Sequence, residues 1–200
     1  HPQEKLTIVG VGGTKGKTTT SYFVKAILDT YLKDQGKAPA GLISSIANYE
    51  GDGEEVAQNT TPESLDLQKH LAQMVHAGLE YAVLEVSSQA LKYHRTDRIE
   101  FDVAIFLNID KDHISPIEHP NFSDYIQSKA KMFGQTKKLI INRETKQANY
   151  LFERAKEAEC YYSFSLNSSK ADYYVKNLEA LDLESHFNIH SKSIDEAFVL

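Results

Sequence analysis

A doubly wound α/β fold, with a mostly parallel sheet and a small antiparallel appendage at its C-terminal end, is what this sequence predicts, on three observations. Short β-branched and aliphatic runs recur at residues 6–9, 81–86, 103–107 and 139–141, each separated from the next by enough chain for a helix. Continuous apolar runs of this length are how buried parallel strands read. A glycine-rich segment, residues 10–20, joins the first run to the amphipathic stretch 21–33. After Cys160 the texture changes: residues 161–166, 173–178 and 186–190 alternate apolar with polar, with polar turns between. That is the pattern of antiparallel strands with one solvated face. The expected boundaries are 1–158 for a nucleotide-binding unit and 159–200 for a small antiparallel sheet belonging to the same domain.

Taken in order, residues 6–9 form the first strand, and the loop after it reads Gly-Val-Gly-Gly-Thr-Lys-Gly-Lys-Thr-Thr-Thr. Glycines at a strand-to-helix turn let backbone N–H groups converge on phosphate oxygens, and the positive end of the helix dipole adds to the attraction. Lys17 supplies a cation and Thr18 a hydroxyl for magnesium, so ATP or GTP suits the loop, on a sheet of the P-loop NTPase type. The strict pattern G-x-x-x-x-G-K-[ST] is not met. Val11 stands five residues before Gly16, and the preceding glycines fall at 10, 12 and 13. The loop is a variant.

Residues 51–55 read as a solvated turn. Thr61 reads as an N-cap and Pro62 as the first residue of a helix, whose Leu67, Leu71, Met74 and Val75 share one face and which Gly78 ends. The strand 81–86 holds Glu85 near its carboxyl end, where a buried carboxylate must be paired, protonated or bound to metal. Ligand crevices in open α/β sheets lie beyond the carboxyl ends of the strands, so Glu85 reads as a magnesium ligand, against a plain salt bridge to a helix lysine. The strand 103–107 leads to Asn108-Ile109-Asp110-Lys111-Asp112-His113 at the same edge, where His113 reads as a metal ligand, a hydrogen-bond donor or an ordinary loop histidine. A helix starting near Ser123 carries Tyr125, Ile126, Lys129 and Met132. On its residue type alone, Lys129 is a solvated helix lysine. His94 and Arg95 read as a surface ion pair, or Arg95 as a holder of phosphate or carboxylate. No Ser-His-Asp grouping stands out, and Ser87 and Ser88 lack the Gly-x-Ser-x-Gly elbow.

Composition narrows the function classes. Apolar residues make up 41% of the chain, enough for a sizeable core. A net charge of −6 offers no basic field for a nucleic-acid backbone, so no nucleic-acid partner is expected. No apolar stretch approaches spanning length, so no membrane partner is expected either. Cys160, the single cysteine, excludes an internal disulfide and fits a reducing cytoplasm. A start at His1 and an end at Phe198-Val199-Leu200 read as a piece of a longer protein.

Together, residues 13–19 (Gly-Thr-Lys-Gly-Lys-Thr-Thr), 59–64 (Asn-Thr-Thr-Pro-Glu-Ser), 85–90 (Glu-Val-Ser-Ser-Gln-Ala), His94-Arg95, Asn108, Asp112-His113 and 125–129 (Tyr-Ile-Gln-Ser-Lys) resemble, in order and spacing, the central domain of Mur ligases. The Thr-Thr-Pro-Glu-Ser and Glu-Val-Ser-Ser stretches resemble the branch that adds the third residue to the peptidoglycan precursor. Gln89 and residues 115–120 (Ser-Pro-Ile-Glu-His-Pro) resemble its lysine-adding members. The resemblance implies a cytoplasmic, ATP-dependent ligase that phosphorylates the carboxylate of UDP-N-acetylmuramoyl-L-Ala-D-Glu to an acyl phosphate, from which the amine of a free amino acid displaces phosphate. It implies that Gly13, Thr14, Lys15, Gly16, Lys17, Thr18 and Thr19 bind ATP, with Asn142 near the adenine. Thr18 and Glu85 would hold a first Mg2+, and His113 and Lys129 a second, Lys129 as the carbamate it forms with carbon dioxide. Thr60, Thr61, Ser87 and Arg95 would hold the UDP-muramoyl substrate. Lys17, Glu85, His113 and Lys129 then make the catalytic set. Separate UDP-binding and amino-acid-binding domains are implied outside these residues. Two other readings stay open: a ligase like folylpolyglutamate synthase, whose loop carries Gly-Lys-Gly-Ser where this chain has Gly-Lys-Thr-Thr, and a nucleotide-dependent binding switch without ligase chemistry.

Overall fold

The computed structural model describes residues 1–112, 114–182 and 184–199. A 3₁₀ turn (Pro2–Lys5) leads into β1 (Thr7–Gly12), α1 (Lys17–Asp34), β2 (Gly41–Ile43), β3 (Ala47–Tyr49), β4 (Glu54–Val56), α2 (Ser64–His76) and β5 (Tyr81–Val86). Then follow α3 (Ser88–Lys92), β6 (Phe101–Phe106), α4 (Phe122–Ala130), β7 (Thr136–Asn142), α5 (Ala148–Ala155), β8 (Cys160–Ser165), β9 (Tyr173–Ala180), β10 (Ser185–His190) and β11 (Asp195–Val199). The strands form one sheet in the order β11-β10-β9-β8-β7-β6-β1-β5-β2-β3-β4. β1 lies parallel between β5 and β6, so the chain crosses the first strand to continue on its other side. Such a switch point opens a crevice at the carboxyl edge.

Alternation along the strands divides the core. Leu84 and Val86 face the larger cluster, with Leu67, Leu71 and Met74 of α2 and Tyr125 of α4. Val83 packs on the opposite side with Val11 and Leu42, beneath Tyr22, Val24 and Leu28 of α1. Glu85 lies two residues beyond Val83 and therefore projects toward the α1 side.

The doubly wound, mostly parallel sheet is as expected, and several local expectations need correction. β1 runs on through Gly12, and a Cβ at Gly10 would lie 2.7 Å from both Met132 and Phe101. That glycine serves close packing of side chains on the strand, so the phosphate loop proper is shorter than residues 10–20. α1 begins at Lys17, four residues before the expected start, with Gly16 as its N-cap at φ 83°, a left-handed backbone that glycine adopts without strain. Glu54 and Glu55 belong to β4 instead of the turn before it. Thr61 is not an N-cap and Pro62 is not helical: α2 starts at Ser64 with Glu63 as its cap, because the Thr61 hydroxyl is bonded elsewhere. β8 joins the main sheet parallel to β7, since α5 supplies the crossover a parallel connection needs, and β9 pairs parallel with β8. Antiparallel pairing at this end begins with β9–β10 and continues to β11. Strands β2, β3 and β4, of three residues each, and the five-residue α3 are too short for their periodicity to be read. Among the described residues no helix is long and apolar enough to cross a membrane.

Candidate functional site

The loop after β1 is held from below by Asn108, which follows β6. Its Oδ1 accepts from the N–H groups of Thr14 and Lys15, both at 3.0 Å, and its Nδ2 donates to Lys15 O at 3.0 Å. The Thr14 side chain is buried, sharing a 3.0 Å hydrogen bond with the Tyr125 hydroxyl and accepting from Asp110 N. The loop is thereby fixed, and the first turn of α1, whose N–H groups have no intrahelical acceptors, stands over the crevice with Lys17, Thr18 and Thr19. Lys17 Nζ donates back to Thr14 O at 3.3 Å. Burial holds its amine below the ordinary lysine range, opposed by the charges of Glu85 and Asp112.

Glu85 has no exposed surface, yet its partners are neutral donors: Thr18 Oγ1 donates to Oε2 at 3.1 Å and Ser45 N to Oε1 at 3.0 Å. Ser45 Oγ lies 2.9 Å from Thr18 Oγ1. Among the described residues no helix lysine lies within ion-pair distance of it, although its charge acts on Lys17 at the start of α1. The 3.1 Å between the Thr18 and Glu85 oxygens matches the roughly 2.9 Å between adjacent octahedral ligands 2.0–2.1 Å from Mg2+. Ser45 was not foreseen; it follows a strand only three residues long, and nothing in its local sequence marks it.

Lys129 is buried, not solvated: its Nζ donates to Gly13 O at 2.7 Å and lies 5.0 Å from the Tyr125 ring centroid. Its pKa falls well below the usual lysine value, through burial first and the Lys17 charge second, with Asp112 opposing. Burial also raises the Tyr125 phenol to about 12, against the hydrogen bond from Thr14. His113 lies outside the described residues.

Thr61 locks the β5 terminus, donating to Glu85 O at 2.7 Å and accepting from Ser87 N at 3.0 Å. The Ser87 side chain caps α3 by accepting from Ala90 N. Arg95 donates to Thr61 O at 3.1 Å and pairs with Glu63 at 2.5 Å, whereas His94 pairs with Asp97, so the two are not an ion pair with each other. Buried Arg95 Nε has no hydrogen-bond partner among the described residues. Lys17, Thr60, Thr61, Ser87, Arg95 and Lys129 border one cavity of about 170 Å3. Asn142, whose Oδ1 accepts from Glu144 N, lines a separate hollow of about 220 Å3 with Lys15 and Asn108.

A second arrangement went unrecognised in the sequence. Ser88 Oγ, on the same 170 Å3 cavity, lies 2.9 Å from His119 Nε2, and His119 Nδ1 lies 2.6 Å from Asp124 Oδ2. A Ser-His-Asp grouping therefore exists. The spacings of 31 and five residues match no local motif, and only the packing of α3 against α4 brings the three together.

Comparison with known proteins follows the same lines. Residues 11–199 match the model of the Mur ligase middle domain. The chain is 45% identical over 159 residues to the UDP-N-acetylmuramyl-tripeptide synthetase of Bifidobacterium longum, covering 79% of this chain and 30% of that protein. It is 37% identical over 206 residues to the UDP-N-acetylmuramoyl-L-alanyl-D-glutamate–L-lysine ligase of Enterococcus faecalis, covering 94% and 40%. A solved UDP-N-acetylmuramoyl-L-alanyl-D-glutamate–2,6-diaminopimelate ligase superposes with a TM-score of 0.81 at 26% identity, over 96% of this chain and 38% of that one. The chain thus spans less than half the length of these relatives.

Proposed function

Because the chain belongs to the Mur ligase family, we propose that it is the central, ATP-binding domain of a cytoplasmic ligase that adds the third amino acid to UDP-N-acetylmuramoyl-L-Ala-D-Glu. The observation that carries this is the convergence of Lys17, Thr60, Thr61, Ser87, Arg95 and Lys129 on one cavity beside the Thr18–Glu85 pair. The first turn of α1 and Lys17 receive the phosphates of ATP, with Asn142 lining the hollow that takes the adenine. Thr18 and Glu85 would hold Mg2+, which would supply positive charge against the phosphate oxygens of the nucleotide. Arg95, with its unpaired Nε, and the Thr60, Thr61 and Ser87 groups hold the UDP-muramoyl peptide. Lys129 suits carbamate formation, because burial disfavours its ammonium form and so favours the neutral, nucleophilic amine that carbon dioxide needs; the carbamate and His113 would then hold a second Mg2+.

The test is phosphate release by the full-length protein with ATP, UDP-N-acetylmuramoyl-L-Ala-D-Glu, and L-lysine or diaminopimelate in turn. Release that requires both the nucleotide sugar and one amino acid, with tripeptide product by mass spectrometry, is expected. ATP hydrolysis indifferent to both would make the protein a nucleotide switch and refute the ligase reading.

A further inference from the structure

The Ser88, His119 and Asp124 grouping has no part in the chemistry assigned so far. Ser88 borders the cavity and is 5% exposed, while His119 has no exposed surface. The groups facing the imidazole are Asp124 and Tyr125 of α4, the latter with its ring 5.0 Å away, and Lys92 of α3, which reaches both Asp124 Oδ2 and Glu118 O at 2.8 Å. The Asp124 carboxyl is held below the usual range by the hydrogen bond from Lys92 first and His119 second, so it is an anion. A carboxylate on Nδ1 keeps the proton there and leaves Nε2 to accept from the Ser88 hydroxyl. The same carboxylate stabilises the imidazolium that would form on taking a second proton. A buried imidazole is thus placed one hydroxyl away from the cavity.

Resting on the ligase reading, we propose that Ser88, His119 and Asp124 form a proton-exit relay for the amide-forming step. The amine lone pair forms the N–C bond to the acyl carbon, the C–O bond to phosphate breaks, and phosphate leaves with that electron pair. The surplus proton on nitrogen passes to Ser88 Oγ as the Ser88 hydroxyl proton passes to His119 Nε2, and the imidazolium, paired with Asp124, later returns its proton to water through Ser88. Ser88 is the group that touches the amine, and His119 and Asp124 act through it. Glu118, a carboxylate on the same cavity, accepts from Gln89 Nε2 at 2.9 Å and is the competing acceptor.

The experiment compares full-length parent and Ser88→Ala with two nucleophiles, the amino acid and hydroxylamine. Hydroxylamine traps the acyl phosphate as a hydroxamate, and its adduct is acidic enough to shed a proton directly to water. The relay requires the amide rate of Ser88→Ala to fall about 10²–10⁴-fold, the range of general acid–base catalysis, with the hydroxamate rate matching the parent's. Asp124→Asn, at a side chain one-third exposed and so tolerant of change, should show the same split between nucleophiles. A parental amide rate in Ser88→Ala overturns the relay, and loss on Glu118→Gln instead would assign the base there. Equal falls with both nucleophiles overturn it too, reducing Ser88 to a shaper of the cavity. If the parent makes neither hydroxamate nor amide, the ligase reading fails and the relay with it.

Discussion

Thr61→Val isolates one buried hydroxyl from the shape around it. Thr61 is 1% exposed, and its hydroxyl donates to Glu85 O at 2.7 Å and accepts from Ser87 N at 3.0 Å, tying the end of β5 to the start of α3. Valine fills the same space and makes neither bond. Each buried polar group left without a partner costs about 1–3 kcal/mol, and the added methyl returns about 0.8 kcal/mol of apolar burial. With two groups left unpartnered, the net destabilisation is about 1–5 kcal/mol. With a urea m-value of about 2 kcal/mol/M, the unfolding midpoint should drop by about 0.5–2.5 M at unchanged m. Thr61→Ser keeps both bonds and loses one methyl, costing about 1 kcal/mol. Urea titrations followed by circular dichroism decide the matter. A Thr61→Val midpoint within the error of the parent's, or a serine variant as unstable as the valine one, would refute the reasoning that Thr61 serves as a hydrogen-bonded lock.

Three further outcomes are expected. Lys17→Ala in the full-length protein should lose about 2.7–4 kcal/mol of transition-state stabilisation, about 10²–10³ in turnover, the scale of removing one preorganised contact; ADP release assays check this, and near-normal turnover would remove Lys17 from the phosphate site. Glu85→Gln can keep a partner for Ser45 N and Thr18 Oγ1 while losing its charge, so calorimetry should show magnesium-dependent ATP binding abolished in a folded variant, as chelation of Mg2+ does in the parent. Retained magnesium dependence would count against Glu85 as a ligand. Burial lowers the folded-state pKa of Lys129 below that of the unfolded chain, so between the two values the unfolded chain binds more protons and stability rises with pH. In carbon dioxide-free buffer, melting curves of the parent should therefore lose stability as pH falls from about 10.5, and Lys129→Met should flatten that slope; identical slopes would mean the amine is not buried.

The order β-loop-α with Lys17 and Thr18 behind a glycine, the apolar runs of β1, β5, β6 and β7, and the nature of Glu85 as a buried acid at a strand end were all determined by the sequence itself. These are local properties: period, chain length and the cost of burying charge act on neighbouring residues. Local pattern also misled where a stronger distant bond competed, as at Thr61, which gives up the expected helix cap to hold Glu85 and Ser87 from 24 and 26 residues away.

Tertiary structure alone decided the rest. Ser45 reaches Glu85 because β2 lies beside β5 in the sheet, an adjacency set across 40 residues. Lys129 reads as solvated by residue type, yet the packing of α4 against the sheet buries it against Gly13 O, and that burial, not its sequence, changes its proton affinity. Ser88, His119 and Asp124 form a hydrogen-bonded chain only because α3 and α4 pack together. Hydrogen bonds and desolvation depend on distances of a few ångströms between residues far apart in the chain, and those distances exist only once the sheet has closed its two cores.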